Sequence, residues 1–264
     1  MKNLSLLFLA YLLVSSCNQK KGDNNETLQD ADTIPVAKVM SMDSLSVGDT
    51  LTISNTLTAA YRQKVLVFTG IDKVVLDSLY IDVLPKNKTL TSYSREEVQA
   101  ALQNDLQEYM NEMKKESKSY MPEFPQTWDR HSIMEVFSDQ NYYLTLRYTG
   151  YGYTGGAHGY AYEIYKTADV KEQKYVELSD ILNPSQVDWN TLLLKHAGER
   201  KAEFFEPNAV SFNRNFYFNS NSITFVYGQY EIAPYSSGII HITIPFKELS
   251  TALTPEFKKR MQIP

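Results

Sequence analysis

Between residues 98 and 113 apolar side chains return every three or four positions, as Val98, Leu102, Leu106, Tyr109, Met110 and Met113, with charged residues between them. That period gives a helix one apolar stripe. Just ahead stands Ser94-Arg95-Glu96-Glu97, a capping-box sequence in which the serine accepts an amide of the first turn while Glu97 reaches back. One long amphipathic helix over residues 95–118, packed on a sheet, is therefore predicted, and the Met and Tyr of its stripe read as core. MPEFP at 121–125 stops it and marks a sub-domain boundary.

Elsewhere the period is two. KVLVFT (64–69) and VVLDSLYIDVL (74–84) are rich in β-branched residues and read as strands. NYYLTLRYT (141–149) alternates Tyr142, Leu144, Leu146 and Tyr148 against Tyr143, Thr145 and Arg147. After a glycine turn YAYEIYKT (160–167) alternates in the same way, so the two should pair as an antiparallel hairpin. A single helical turn is expected at 178–182 and a helix over 187–204. Strands follow at 215–218, 222–227 and 239–244, and helical turns at 246–249 and 255–260. Runs of strands broken by separate helices predict an α+β class, a mainly antiparallel sheet with packed helices. Two sub-domains follow from this pattern, 45–125 and 126–264.

The chain's first residues have a different texture. Lys2, an apolar run over 4–14 and Val14-Ser15-Ser16-Cys17 together match a bacterial lipoprotein signal with its lipobox, so 1–16 is expected to be a signal peptide and Cys17 the lipidated residue. Residues 17–44 are polar, sparse in large apolar groups, and read as a lipidated cysteine and flexible tether. These features place the protein in the cell envelope, lipid-anchored in a membrane, with the outer membrane favoured by Asn18 in a cell that has two. Cys17 is the only cysteine, so the mature core needs no disulfide. A net charge of −5 and a pI near 5.5 argue against nucleic acid as a partner.

Chemistry concentrates in two loops. In the first, Tyr151 and Tyr153 flank Gly155, Gly156 and His158, whose glycines permit close approach of another chain and whose histidine is the loop's one group titrating near neutrality. This is either an aromatic-flanked binding lip or a turn whose histidine caps a backbone group. In the second, Tyr230, Glu231 and Tyr235 surround Pro234. The rings suit stacking on a sugar or a protein, or else fill space between sheet and helices. Glu231 with His158 would form an acid/base pair if the loops met, which is the basis of a glycan-hydrolase alternative. The four histidines stand far apart, and no nucleophile elbow, phosphate loop, dinucleotide fingerprint or calcium loop occurs. No catalytic residue, cofactor or metal is assigned. His241 is expected on the outer face of its strand, and His196 on a helix surface.

The order YTGGAHG (153–159), YVELSDIL (175–182), a helix, SITFVYGQYEIAPYSSG (222–238) and IPFKEL (244–249) resembles the C-terminal domain of the RsiV-like family of bacterial envelope proteins. That domain is shared by RsiV-type anti-sigma factors and by the accessory region of PdaC-type deacetylases. The resemblance covers residues 132–249, with GGAH and YEIAPY as its marks, and the segment 45–118 resembles the domain that precedes it. The sigma-binding segment and the metal-holding catalytic domain of those relatives have no counterpart here. What the resemblance implies is a non-catalytic extracytoplasmic binding module whose partner is a lysozyme-like protein or a peptidoglycan fragment. The alternatives are a cell-wall glycan hydrolase or deacetylase-like enzyme, and a structural envelope protein with no specific ligand.

Overall fold

The computed structural model of the chain describes residues 40–84 and 89–264. Cys17, the expected signal peptide and all of the tether before residue 40 lie outside them. Six strands form one sheet in the order β1 (Ser41–Thr52), β2 (Leu57–Thr69), β3 (Gln126–Gln140), β4 (Tyr143–Tyr153), β5 (Tyr160–Asp169) and β6 (Lys174–Tyr175). All neighbours are antiparallel except β2 and β3, which run parallel. A parallel pair needs a long crossover, and the chain supplies it with two helices, α1 (Lys73–Tyr80) and α2 (Arg95–Glu116).

The α2 stripe is laid out as its spacing predicts: Val98, Leu102, Leu106, Tyr109, Met110 and Met113 are all buried, in one core with Val65, Val67, Leu144, Leu146 and Tyr148 of the sheet. Each such side chain removed from water contributes about 1.5–3 kcal/mol. Ser94 Oγ accepts the Glu97 amide at 3.3 Å. Glu97 reaches back two residues further than the capping box requires, accepting from the Ser92 amide at 2.8 Å.

The second core lies C-terminal. After α3 (Leu178–Ile181) and α4 (Trp189–Ala197), strands β7 (Phe216–Phe218), β8 (Ser222–Tyr227) and β9 (Ile240–Pro245) form a three-stranded antiparallel sheet, and α5 (Pro255–Met261) closes the chain. Its interior is rich in rings: Trp189, Phe216, Phe218, Phe225, Phe246 and Phe257. Two side chains dock it on β5, whose edge is unpaired over most of its length. Asn215 imitates a strand, accepting from the Tyr165 amide at 2.8 Å and donating to the Glu163 carbonyl at 2.7 Å. Gln229 accepts from the Ala161 amide at 2.8 Å. At the far end the buried Asp169 carboxylate accepts from Arg260 of α5 and from the Lys171 and Glu172 amides.

The α+β class is as predicted, with four local departures. Residues 74–84, expected to be a strand, begin instead as α1. The β-branched Val74 and Val75 suggested extended chain, but the buried set Val75, Leu76, Leu79 and Tyr80 has helical spacing, and a Lys73–Asp77 pair one turn apart supports it. The sheet reaches back before residue 45: β1 opens at Ser41, so Asp43, assigned to the tether, belongs to the sheet. The helix over 187–204 is cut at Gly198, whose φ of 59° no α-helix accepts, and continues as a 3-10 turn, Gly198–Glu203. The boundary at MPEFP joins α2 to a strand of the same sheet, and the two cores divide further on, between β6 and α3.

Candidate binding surface

The two loops singled out in the sequence meet. The first connects β4 to β5 and the second connects β8 to β9. Gly155 and Gly156 have φ of 90° and 96°, which side chains rarely adopt, and a Cβ at Gly155 would stand 3.2 Å from the Trp128 indole nitrogen. This double reversal lets Tyr153 Oη donate to the Gly156 carbonyl at 3.1 Å and sets His158 facing the second loop. The His158 ring stacks on Tyr235 at 3.9 Å between centroids, with 24° between planes, and Tyr230 completes a trio at 6.5 Å from His158 and 5.9 Å from Tyr235. His158 Nδ1 lies 3.0 Å from the Gly159 carbonyl. A carbonyl only accepts, so Nδ1 carries the proton and Nε2 is the nitrogen left for other contacts. The histidine thus caps backbone and builds the aromatic surface at once.

The second loop owes its shape to Glu231. One carboxylate oxygen accepts from the Gly228 amide at 2.7 Å and the other from Asn213 Nδ2 at 2.8 Å. Between these anchors Tyr230 is held at φ 65°, a left-handed conformation costly for a bulky side chain, and the residue is 58 % exposed. Beneath it Tyr227 is buried and donates to the Ser211 carbonyl at 2.8 Å, and burial pushes its phenol well above the usual range. The acid/base pair of Glu231 with His158 is not assembled, because both carboxylate oxygens are committed to the turn. Ser236 and Ser237 fall in a 3-10 turn, Tyr235–Ser237, that positions Tyr235.

Tyr151 belongs to the same surface by another route: its ring lies over Gly159 and packs on His131 at 5.5 Å. His131 Nδ1 in turn stands 3.1 Å from Asp129. From there the sheet face opposite the helices runs on to β1 as a shallow groove of about 820 Å³, with Arg62, Lys64 and Ile133 on its floor. His241 is exposed on β9 as expected, 3.6 Å from Glu163. His196 is more sheltered than expected: its Nε2 meets Glu248 at 3.2 Å, and Lys195 and His196 together hold that carboxyl below its ordinary range. Among the described residues no three His, Cys, Asp or Glu side chains gather where a metal ion could be held. No described helix is long and apolar enough to cross a membrane.

Sequence reasoning named the rings and missed their supports, Gln229, Asn213 and Asn215. Nothing in a lone asparagine announces that it will imitate a strand. His131 on Tyr151 was equally hidden, since β3, which carries it, was not foreseen.

Comparison with known proteins divides the chain near the same loop. Residues 164–247 match the family described as protein of unknown function DUF3298, and residues 78–161 match the family described as deacetylase PdaC. The GGAH segment, expected to mark the C-terminal domain, falls in the second of these matches. A crystal structure of a DUF3298 member from Bacteroides fragilis superimposes with a TM-score of 0.68 at 19% identity, covering 86% of this chain and 99% of that one. A DUF3298 protein from Pseudomonas aeruginosa gives 0.53 at 18% identity, covering 82% and 96%. These likenesses establish a shared fold. No curated protein matches the chain.

Proposed function

We infer, from the premise that this chain carries the RsiV-like, PdaC-associated pair of domains, that it is a non-catalytic binding module of the cell envelope. Its ligand is a lysozyme-like protein or a peptidoglycan fragment, taken up by the His158, Tyr230 and Tyr235 rings with Tyr151 beside them. The observation that carries this reading is the stack of His158 on Tyr235, which turns two loops distant in sequence into one partly exposed aromatic surface. Stiff rings with polar tips lose little entropy on binding and suit both a sugar face and a protein hot spot. In the same reading Cys17 is lipidated and the tether holds the module off the membrane, in the outer membrane where the cell has two.

Calorimetry of the soluble part of the chain against c-type lysozyme and, separately, against peptidoglycan fragments tests it. Saturable binding to one of them is expected, weakened by about 2 kcal/mol in Tyr235→Ala, with the far-UV circular dichroism unchanged. Silence with both ligands would overturn the reading. Cys17→Ser should move the protein from the membrane fraction to the soluble one.

A further inference from the structure

On the helix side of the sheet, the end of α2 and strands β3 to β5 enclose a cleft of about 420 Å³ that the aromatic surface does not use. Its walls are Tyr120, Trp128 and Tyr160, with Thr154 at one end. Tyr120 lies parallel to Trp128, at 6.3 Å and 7°, and is 55 % exposed. Tyr160 folds flat across Gly152 of the neighbouring strand, where a Cβ would come within 2.5 Å of the ring.

Three features of this cleft have no internal purpose. Tyr109 is 3 % exposed and lines the cleft, yet its hydroxyl is the one buried side-chain polar atom among the described residues with no hydrogen-bond partner. Such a group costs about 1–3 kcal/mol unless something satisfies it. Glu112 and Glu116, one helical turn apart on the rim, are exposed and have no cation partner among the described residues. The cleft's own cation is already spent: Arg130 donates to Asp105 at 2.8 Å, and its guanidinium sits 5.0 Å from the Tyr61 ring and 4.9 Å from the Tyr109 ring. Two uncompensated carboxylates, a phenol whose oxygen can still accept, and aromatic walls form an electron-rich site. A cation bearing N–H donors is the ligand that answers the negative charge, the ring faces and the phenol oxygen's lone pairs together. A neutral sugar would gain the rings and leave the charge unbalanced.

We propose that this cleft receives the arginine or lysine side chain of a partner protein, held by Glu112 and Glu116, by the Tyr120 and Tyr160 rings, and by the Tyr109 hydroxyl once Tyr160 swings aside. The site is independent of the aromatic surface and of the ligand proposed for it. The test is calorimetry of the purified full-length chain with n-butylguanidinium as the probe and chitotetraose as the neutral comparison.

Saturable binding of the guanidinium that weakens with added salt is expected, with about tenfold loss in the Glu112→Gln, Glu116→Gln double variant and about threefold in Tyr109→Phe. Tyr109→Phe keeps the packing and removes only the orphaned hydroxyl, so its melting temperature should hold or rise while binding falls. Three results overturn the proposal: no saturable heat with the guanidinium, unchanged affinity in the double variant, or chitotetraose binding that depends on Tyr120 while the cation does not bind.

Discussion

The two cores solve the burial problem with different rings. The first, under the six-stranded sheet, mixes aliphatic side chains with tyrosines, several of whose hydroxyls reach fixed partners. Tyr148 donates to the Leu79 carbonyl at 2.7 Å, Tyr80 to the Leu66 carbonyl, and the one Tyr61 hydroxyl proton lies between Gln63 Oε1 at 2.6 Å and Asp105 Oδ2 at 2.7 Å. The second relies mainly on phenylalanines, which ask for nothing polar, packed edge against face, as Phe218 meets Phe257 at 82° and Phe225 meets Trp189 at 82°. A phenol with a fixed partner dictates where its backbone must lie. The first core therefore gains registration between helix and sheet at the cost of a titratable load. The second gains tolerance for irregular 3-10 connections, because packed rings constrain the chain less by direction than by volume.

This contrast can be broken most forcefully from the second core. Phe225→Ala, at a position with no exposed surface, should cost about 3–5 kcal/mol in urea unfolding. Tryptophan and tyrosine signals should then separate into two transitions; a single shared midpoint would mean the docking through Asn215 and Gln229 makes one cooperative unit of both.

Alkaline titration attacks the other side. Burial first, aided in Tyr61 by Asp105, raises Tyr61, Tyr80 and Tyr148 above the free phenol value, and Tyr175 is pushed up to about 12. A folded value above the unfolded one stabilises the protein fully below about pH 10, and the contribution is lost as pH rises through the folded value. One unit above the free value, Tyr61, Tyr80 and Tyr148 should together cost the first core about 4 kcal/mol, against about 1.4 kcal/mol for Tyr227 in the second. Equal loss in both, followed by tyrosinate absorbance during unfolding, would remove the distinction.

Smaller effects sharpen the seam and the ends. Asn215→Ala strips the β5 edge of two backbone partners and should cost about 1–3 kcal/mol, lowering the midpoint at which the cores part. Ser94→Ala, losing one cap, should cost about 1 kcal/mol and be felt by hydrogen exchange in α2 alone.

What was legible in the sequence was whatever a single period could announce. All six stripe residues of α2 are core, and strands β8 and β9 fall within a residue of their expected ends, because one face of each is buried throughout. The strand read at 74–84 failed where two periods overlapped: β-branched composition spoke for one state and the spacing of Val75, Leu76, Leu79 and Tyr80 for the other. Strands β1 and β3 went unseen since both faces of their outer halves meet water, as the successive exposed residues Asp49 and Thr50 of β1 and Val136 and Phe137 of β3 attest. The aromatic surface was legible residue by residue but not as a surface. Its assembly depends on Asn215 and Gln229 reaching an unpaired edge, an event set by tertiary docking that leaves no local signature.

Strand β1 has one more unpaired edge to offer, twelve residues long. Its own carboxylates occupy part of it: Asp43 takes the Ser44 amide at 2.7 Å, Asp49 takes the Thr50 amide at 2.7 Å, and Arg95 covers the Ser44 carbonyl at 3.2 Å. A second molecule seeking to extend the sheet would have to displace these contacts and bring its own strand against two anions. The six-stranded sheet is thus guarded against growing by accretion, and a protein crowded among its copies can keep a long bare edge without becoming a template for fibres.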